Sequence, residues 1–276
     1  MDINKINKLL KLNINDNNRG EIMNENILRT FKVTKRFGGI IALQDVSINV
    51  PKESIVMLIG PNGSGKTTLI NVISGQYKPD SGKIYVYDKD ITGLSPHKIY
   101  KIGISRTFQI PLPFRKLTVL ENLLVVARNV EGEKITSSLF KRKKWIKDEE
   151  ELAEKAMEIL EIINLDHLWD NEAGNLSGGQ MKLLEIGRAL MSDPEIILMD
   201  EPVAGVNPKL ANEIMEHVLA LRDEYSISFL IVEHRLDIVL KYVDIVYAMH
   251  NGRVIAVDSP DKIISHPAVA AAYLGG

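Results

Sequence analysis

The sequence predicts an α/β fold: a mostly parallel sheet covered by helices on both faces, with a smaller antiparallel β portion ahead of it and a helical segment in its middle. Three observations predict it. Ser54–Gly60, Glu195–Asp200 and Ser228–Glu233 are continuous apolar runs of strand length, as strands buried on both faces read. The last two are separated by a helix-length segment, the alternation that gives a parallel sheet. The opening instead alternates apolar and polar residues, which marks half-buried antiparallel strands.

In chain order, residues 1–26 are rich in asparagine and lack a clean apolar core, so they read as a flexible tail rather than a secretory signal, or as residues ahead of a true start at Met23. Phe31 and Val33 alternate with polar neighbours, as do Val46, Ile48 and Val50. A helix begins near Gly65, and Lys83–Val86 reads as a strand after the turn Pro79–Gly82. Between Gln109 and Leu176 the chain becomes helical and charged, with Leu152, Ala156, Ile159, Leu160 and Ile163 at helical spacing. Ahead of them the charge run Lys141–Glu151 reads as a solvated helix start, basic residues preceding an acidic first turn, with a surface facing lipid headgroups as the alternative. Asp244–Ala248 and Arg253–Val257 read as a hairpin around Asn251-Gly252.

Composition narrows the function. The chain has 276 residues, 45% hydrophobic and 25% charged, enough for a sizeable core. Its formal net charge of −2 gives no overall footprint for nucleic acid. With no cysteine there is no disulfide, thiol nucleophile, zinc finger or Cys-ligated cluster. No apolar run approaches the length of a membrane span, so any membrane role is expected to come through a partner.

The chemistry starts at Gly60-Pro61-Asn62-Gly63-Ser64-Gly65-Lys66-Thr67, followed by Thr68, which fits GxxxxGK[ST] between a buried strand and a helix. Glycines let successive N–H groups converge on phosphate oxygens, and the helix N-terminus adds the positive end of its dipole. Lys66 can reach the β- and γ-phosphates, and the Thr67 hydroxyl suits Mg²⁺. A nucleoside triphosphate with Mg²⁺ is therefore expected. Asp200-Glu201 ends a buried strand, where ligands gather in open parallel sheets. Asp200 can hold Mg²⁺ and Glu201 can polarise an attacking water; without a phosphate loop the pair would read as a surface strand end.

Leu176-Ser-Gly-Gly-Gln180 lies between these two sites, Gln109 follows Arg106-Thr-Phe108, His234 ends the strand after Asp200, and Phe37 lies ahead of Lys66. In this order they resemble the ATP-binding cassette ATPases over about Ile27 to the C-terminus. The resemblance implies a P-loop NTPase fold of this family, a RecA-like parallel-sheet core with an antiparallel β subdomain and an inserted helical subdomain. It places a nucleotide-binding core at 27–108 and 180–276 and the helical subdomain at 109–179. It further implies that Phe37 stacks on adenine, unless it is an ordinary core phenylalanine. Gln109 would sense Mg²⁺ and the γ-phosphate, and His234 would contact that phosphate. Glu201 would be the general base, with Lys66 also catalytic. Ser177, Gly178, Gly179 and Gln180 would contact ATP held by a second subunit, so the site would be complete only in a head-to-tail dimer. Asn207 stands where many members carry Asp; it keeps the hydrogen-bonding shape and loses the charge in a loop that would contact that subunit.

Arg36–Leu43, Gly103–Gln109, Leu117–Leu123, Ala204–Pro208 and Ala268–Gly276 resemble, more narrowly, the ATPase subunits of branched-chain amino acid importers; the lipopolysaccharide-export ATPase shares several of these stretches. The partners so implied are a second ATPase subunit, identical or paralogous, a membrane permease and, indirectly, a substrate-binding protein. The chain would be cytoplasmic, held to the inner face of the membrane by the permease. Phe114, Val119 and Leu120 are candidates for lining the groove that takes the permease helix, or for local core packing. A soluble DNA-repair ATPase of the same family and a P-loop kinase or guanine-nucleotide switch are rivals. The first usually adds long coiled coils, whose heptads are absent here; the second lacks NKxD and leaves LSGGQ unexplained.

Overall fold

The computed structural model describes residues 25–107, 113–127 and 142–274. They form two compact units, 25–107 with 195–274 and 113–127 with 142–194.

The first unit holds two sheets. One is antiparallel: β1 (Asn26–Phe37) pairs with β2 (Ile40–Val46), β3 (Asn49–Pro51) and β5 (Ser81–Val86), and β5 continues to β6 (Lys89–Asp90). The other has six strands: β4 (Ile55–Ile59), β7 (Ile104–Arg106), β8 (Ile196–Asp200), β9 (Ser228–Val232), β10 (Ile245–His250) and β11 (Arg253–Asp258). Their order is β11-β10-β4-β9-β8-β7, parallel throughout except for the β10–β11 hairpin. The α/β class and the parallel arrangement are as the sequence predicts. Every residue of β4, β8 and β9 is buried, which is why those stretches are apolar without alternation. Helix α1 (Lys66–Ile73) packs Leu69, Ile70 and Ile73 into the same core as Leu58, Leu198 and Leu230, and the short α2 (Pro96–Lys101) precedes β7. The hairpin turns at Asn251 and Gly252, both at positive φ (48° and 73°), the pair that a two-residue turn of this hand requires.

One strand departs from simple alternation. Phe31 and Val33 share parity, yet Val33 is fully buried and Phe31 is 58% exposed. Lys32 between them sits at φ 47°, and the pairing with β5 shifts register between Phe31 and Thr34. This irregularity turns the strand over, so Val33 faces the core opposite Val46 while Phe31 lies at the surface opposite Lys83. Gly82 makes the distortion possible: a Cβ there would meet the Lys32 carbonyl oxygen at 2.4 Å.

The second unit is helical: α3 (Val119–Leu124), α4 (Arg142–Ile162) and α5 (Gly178–Leu190). Thr118 caps α3 with Glu121 in a reciprocal capping box. Buried Asn122 accepts from the Phe114 N–H at 2.8 Å and donates to the Phe114 and Thr118 carbonyls, pinning the segment before the helix. Ala156, Ile159, Leu160 and Ile163 are buried, as their spacing predicts. Gly187 lets α5 pack closely here, since a Cβ would reach Ile163 Cδ1 at 2.7 Å. Of the charge run, Arg142–Glu151 lie within the described helix, the basic residues ahead of the acidic ones, and Lys141 lies outside the described residues. Val119 is fully buried, which removes it as a groove-lining residue; Phe114 is exposed and lies under the Arg188 guanidinium, 5.5 Å from the ring centre. Among the described residues no helix is long and apolar enough to cross a membrane.

Candidate functional site

β4 delivers the chain into the loop Gly60–Gly65, and α1 starts at Lys66. Gly60 and Gly65 stand at φ 146° and 105°; added Cβ atoms would strike the Met249 carbonyl oxygen at 2.1 Å and the Ala42 carbonyl oxygen at 2.6 Å. The backbone therefore packs tightly on its inner side. Gly63 meets nothing within 4 Å, so the loop is open on its outer side, with Asn62 and Thr67 exposed beside it. Pro61, Ser64 and Thr68 complete it. Ser64 is buried and Pro61 and Thr68 are half-buried.

The Lys66 ammonium lies inside the curl, donating to the Gly60 carbonyl at 2.8 Å, the Pro61 carbonyl at 3.0 Å and Ser64 Oγ at 3.3 Å. Burial lowers its pKa, and the carboxylates of Glu201 and Asp200 act in the opposite sense. Thr67 Oγ1 donates to Asp200 Oδ1 at 3.4 Å. Asp200 is buried, and desolvation raises its pKa against the opposing pull of Arg106. Glu201 follows at φ 53°, a left-handed conformation that costs a non-glycine residue energy and persists where the surroundings impose it. Its N–H still donates to the Val232 carbonyl at 2.8 Å, and its Oε1 lies 3.4 Å from His234 Nε2.

Thus Lys66, Thr67, Asp200, Glu201 and His234 come together in the first unit. Gln109 lies outside the described residues. Phe37 is 42% exposed, so it is not a core residue; Tyr77 stands edge-on to it at 5.1 Å and the Lys35 ammonium lies 5.4 Å over its ring.

In the second unit Ser177 caps α5. Its Oγ accepts from the Gln180 N–H at 3.3 Å, while Gln180 Oε1 accepts from the Ser177 N–H at 2.9 Å. LSGGQ is thus a capped helix start with Ser177 and Gly178 exposed and Gly179 buried. Asn207 caps α6 (Pro208–Tyr225) by accepting from the Leu210 N–H at 3.0 Å. Asparagine and aspartate do this equally well, so Asn207→Asp should leave stability unchanged. Asn207→Ala should lose about 1 kcal/mol, read by urea denaturation.

Two groups at this site have no role in the sequence argument. Arg106, at the end of β7, places Nη2 3.5 Å from Asp200 Oδ2 and bonds Asn71 and Ser74 with Nη1. It was visible only as a letter in the stretch before Gln109. Glu233 is a buried carboxylate beside His234; its partners are all backbone N–H groups, which no side-chain pattern announces.

The ABC transporter family profile matches residues 43–204. A protein of Archaeoglobus fulgidus named "Probable branched-chain amino acid transport ATP-binding protein LivG" is 54% identical over 249 residues, covering 90% of this chain and 95% of its own length. The chain belongs to the ABC transporter ATPase family. This ABC ATPase is similar in structure to the ADP conformation of MJ1267, an ATP-binding cassette of an ABC transporter, with a TM-score of 0.80, 53% identity, and coverage of 91% and 99% of the two chains. It is also similar to a dimeric post-hydrolysis structure of the cassette MJ0796 bound to ADP and phosphate, with a TM-score of 0.68, 26% identity, and coverage of 84% and 98%. The expected fold is thereby that of the family, and the ABC ATPase is an ATP-hydrolysing enzyme.

Proposed function

We propose that this chain is the energy-coupling subunit of a transporter that imports branched-chain amino acids, acting on a separate permease at the inner face of the cell membrane. The observation that supports the substrate is the 54% identity, across 90% of the chain, to a relative named for branched-chain amino acid transport. The motif-based division, a core at 27–108 and 180–276 with a helical subdomain at 109–179, belongs to the same reading.

The residues fit ATP with Mg²⁺. The loop is open where Gly63 presents its backbone, and the buried Lys66 ammonium has only neutral oxygens as hydrogen-bond partners there. Phosphate oxygens would be stronger acceptors for it. Among the described residues no group of three or more His, Asp or Glu side chains is arranged to hold a metal ion by itself. Thr67 and Asp200 are hard oxygen donors that share a bond, so they would hold Mg²⁺ together with phosphate oxygens and Gln109, the usual arrangement for this ion. Bound there, Mg²⁺ would neutralise charge developing on the phosphates.

The adenine would stack on the exposed ring of Phe37. Glu201 would orient and deprotonate the attacking water, and His234, within 3.4 Å of it, would contact the γ-phosphate. Ser177, Gly178, Gly179 and Gln180 would contact ATP held by a second ATPase subunit, identical or paralogous. Closure of that dimer depends on the γ-phosphate, so hydrolysis reopens it, and the permease converts the cycle into transport. A substrate-binding protein would act on the permease's outer side; no nucleic acid takes part.

The purified chain should be monomeric without nucleotide and associate when ATP·Mg²⁺ is added with hydrolysis blocked. Sedimentation showing a tight dimer indifferent to nucleotide would contradict the role given to Ser177. The transport reading is tested in proteoliposomes that hold this chain, a second ATPase subunit and a candidate permease, with a substrate-binding protein outside. ATP inside should drive uptake of labelled leucine, isoleucine or valine, and no uptake of any of them would refute it.

A further inference from the structure

β8 and β9 are adjacent parallel strands, with Asp200 opposite Val232 at their shared end. Beyond it the two chains separate into the segment that starts with Glu201 and the segment that carries His234. Glu233 spans them. Its side chain is 1% exposed, yet Oε1 accepts from the Val203 N–H at 2.8 Å and Oε2 accepts from the His234 N–H at 2.8 Å and the Arg235 N–H at 3.2 Å. Arg235 makes a second link, donating from Nη1 to the Val206 carbonyl at 3.0 Å, with Asp237 3.6 Å from Nη2. The pair Glu201–His234 lies within this frame.

We propose that Glu233 and Arg235 are positioning residues that lock the segment after β8 to the segment after β9, so that Glu201 and His234 face the reacting phosphate as one rigid pair. The inference rests on the assignment of hydrolysis to Glu201 and His234. A carboxylate withdrawn from water is costly unless its lone pairs are satisfied. Here its three donors are backbone groups beside Glu201 and His234, outside the strand ladders. An apolar side chain at 233 would bury as well and would leave those N–H groups unpaired. Only an acceptor with two separated oxygens reaches both segments. A glutamine can accept at one end only, and its NH₂ would face an N–H at the other.

The test uses the full chain. Glu233→Gln keeps the volume and releases one segment, and displacement of a catalytic pair by about 1 Å can cost on the order of 10²-fold in rate. Hydrolysis should therefore fall by about 10–100-fold, while ATP affinity by calorimetry stays at the parent value. Amide exchange at Val203, His234 and Arg235 should quicken, with β8 and β9 unchanged. Arg235→Ala, on a partly exposed side chain, should slow hydrolysis by a smaller factor. In a His234→Ala background neither change should slow the reaction much further, because coupled residues are not additive.

Parent-rate hydrolysis in both variants overturns the proposal, and so does a full additive loss in the His234→Ala background, which would make Glu233 a fold residue only. If Glu233→Gln loses its cooperative melting transition, Arg235→Ala decides alone by its rate. Glu201→Gln and His234→Ala measured alongside separate the two failures. If they are slow while the Glu233 and Arg235 variants are normal, only the bracing fails; if they hydrolyse normally, the underlying assignment fails and the proposal with it.

Discussion

Glu201→Gln should hydrolyse ATP at least about 10²-fold more slowly than the parent, as expected for a lost general base. Glu201 lies directly after the buried Asp200, at φ 53°, with its carboxylate 3.4 Å from His234 Nε2. A free chain has no reason to adopt that backbone, so the fold imposes it and it aims the carboxylate where the strand end meets the phosphate loop. Glutamine preserves the length and shape and cannot take a proton at neutral pH. Lys66, Thr67 and the loop amides are untouched, so ATP affinity should survive. With the γ-phosphate retained, the variant should associate in ATP·Mg²⁺ and not in ADP. Rate assays and sedimentation on the same preparations decide the matter. Parent-level turnover would move the base to another residue, and loss of both binding and turnover would make Glu201 a structural or metal residue.

Lys66→Ala should abolish measurable ATP binding. The ammonium lies within the loop on carbonyl and hydroxyl oxygens 2.8–3.3 Å away, where it would meet the phosphates of a bound nucleotide. A hydrogen bond to a charged group contributes about 1.5–3 kcal/mol; Lys66 would make one to each of the β- and γ-phosphates, so losing both should lower affinity by about 10²–10⁴-fold, below what calorimetry reads. The loop also loses three internal bonds, so some disorder of Gly60–Ser64 is expected as well. Lys66→Arg separates the two causes: it keeps the charge but not the compact head that fits inside the curl. Calorimetry with ATP·Mg²⁺ measures both variants, and unchanged affinity in Lys66→Ala would remove the phosphate-loop assignment.

Much of the fold was legible because its signals are local. A wholly apolar run of strand length must be buried on both faces, and β4, β8 and β9 are. Asn251-Gly252 turns because those residues tolerate positive φ. Phe31 could not be placed in the same way: its face depends on Lys32 at φ 47° and on the approach of Gly82, far along the chain. Val119 reads equally as groove lining or as local core packing, and only its burial in the core of its unit decides between them.

The sequence by itself determined the chemistry of each piece of the site: a glycine loop that can cradle phosphate, a lysine and a threonine at its end, an acidic pair closing an apolar strand, and a histidine closing the next. These properties follow from residue type and immediate neighbours. Which pieces share a site was decided by tertiary structure. The parallel order β4-β9-β8-β7 brings the ends of four strands side by side, and so sets Thr67 on Asp200, Arg106 against Asp200 and Glu201 against His234. Arg106 and Glu233 acquire their places only there. A charged group gains a definable role once burial removes water and leaves named partners, and those partners come from strands that the chain order keeps apart.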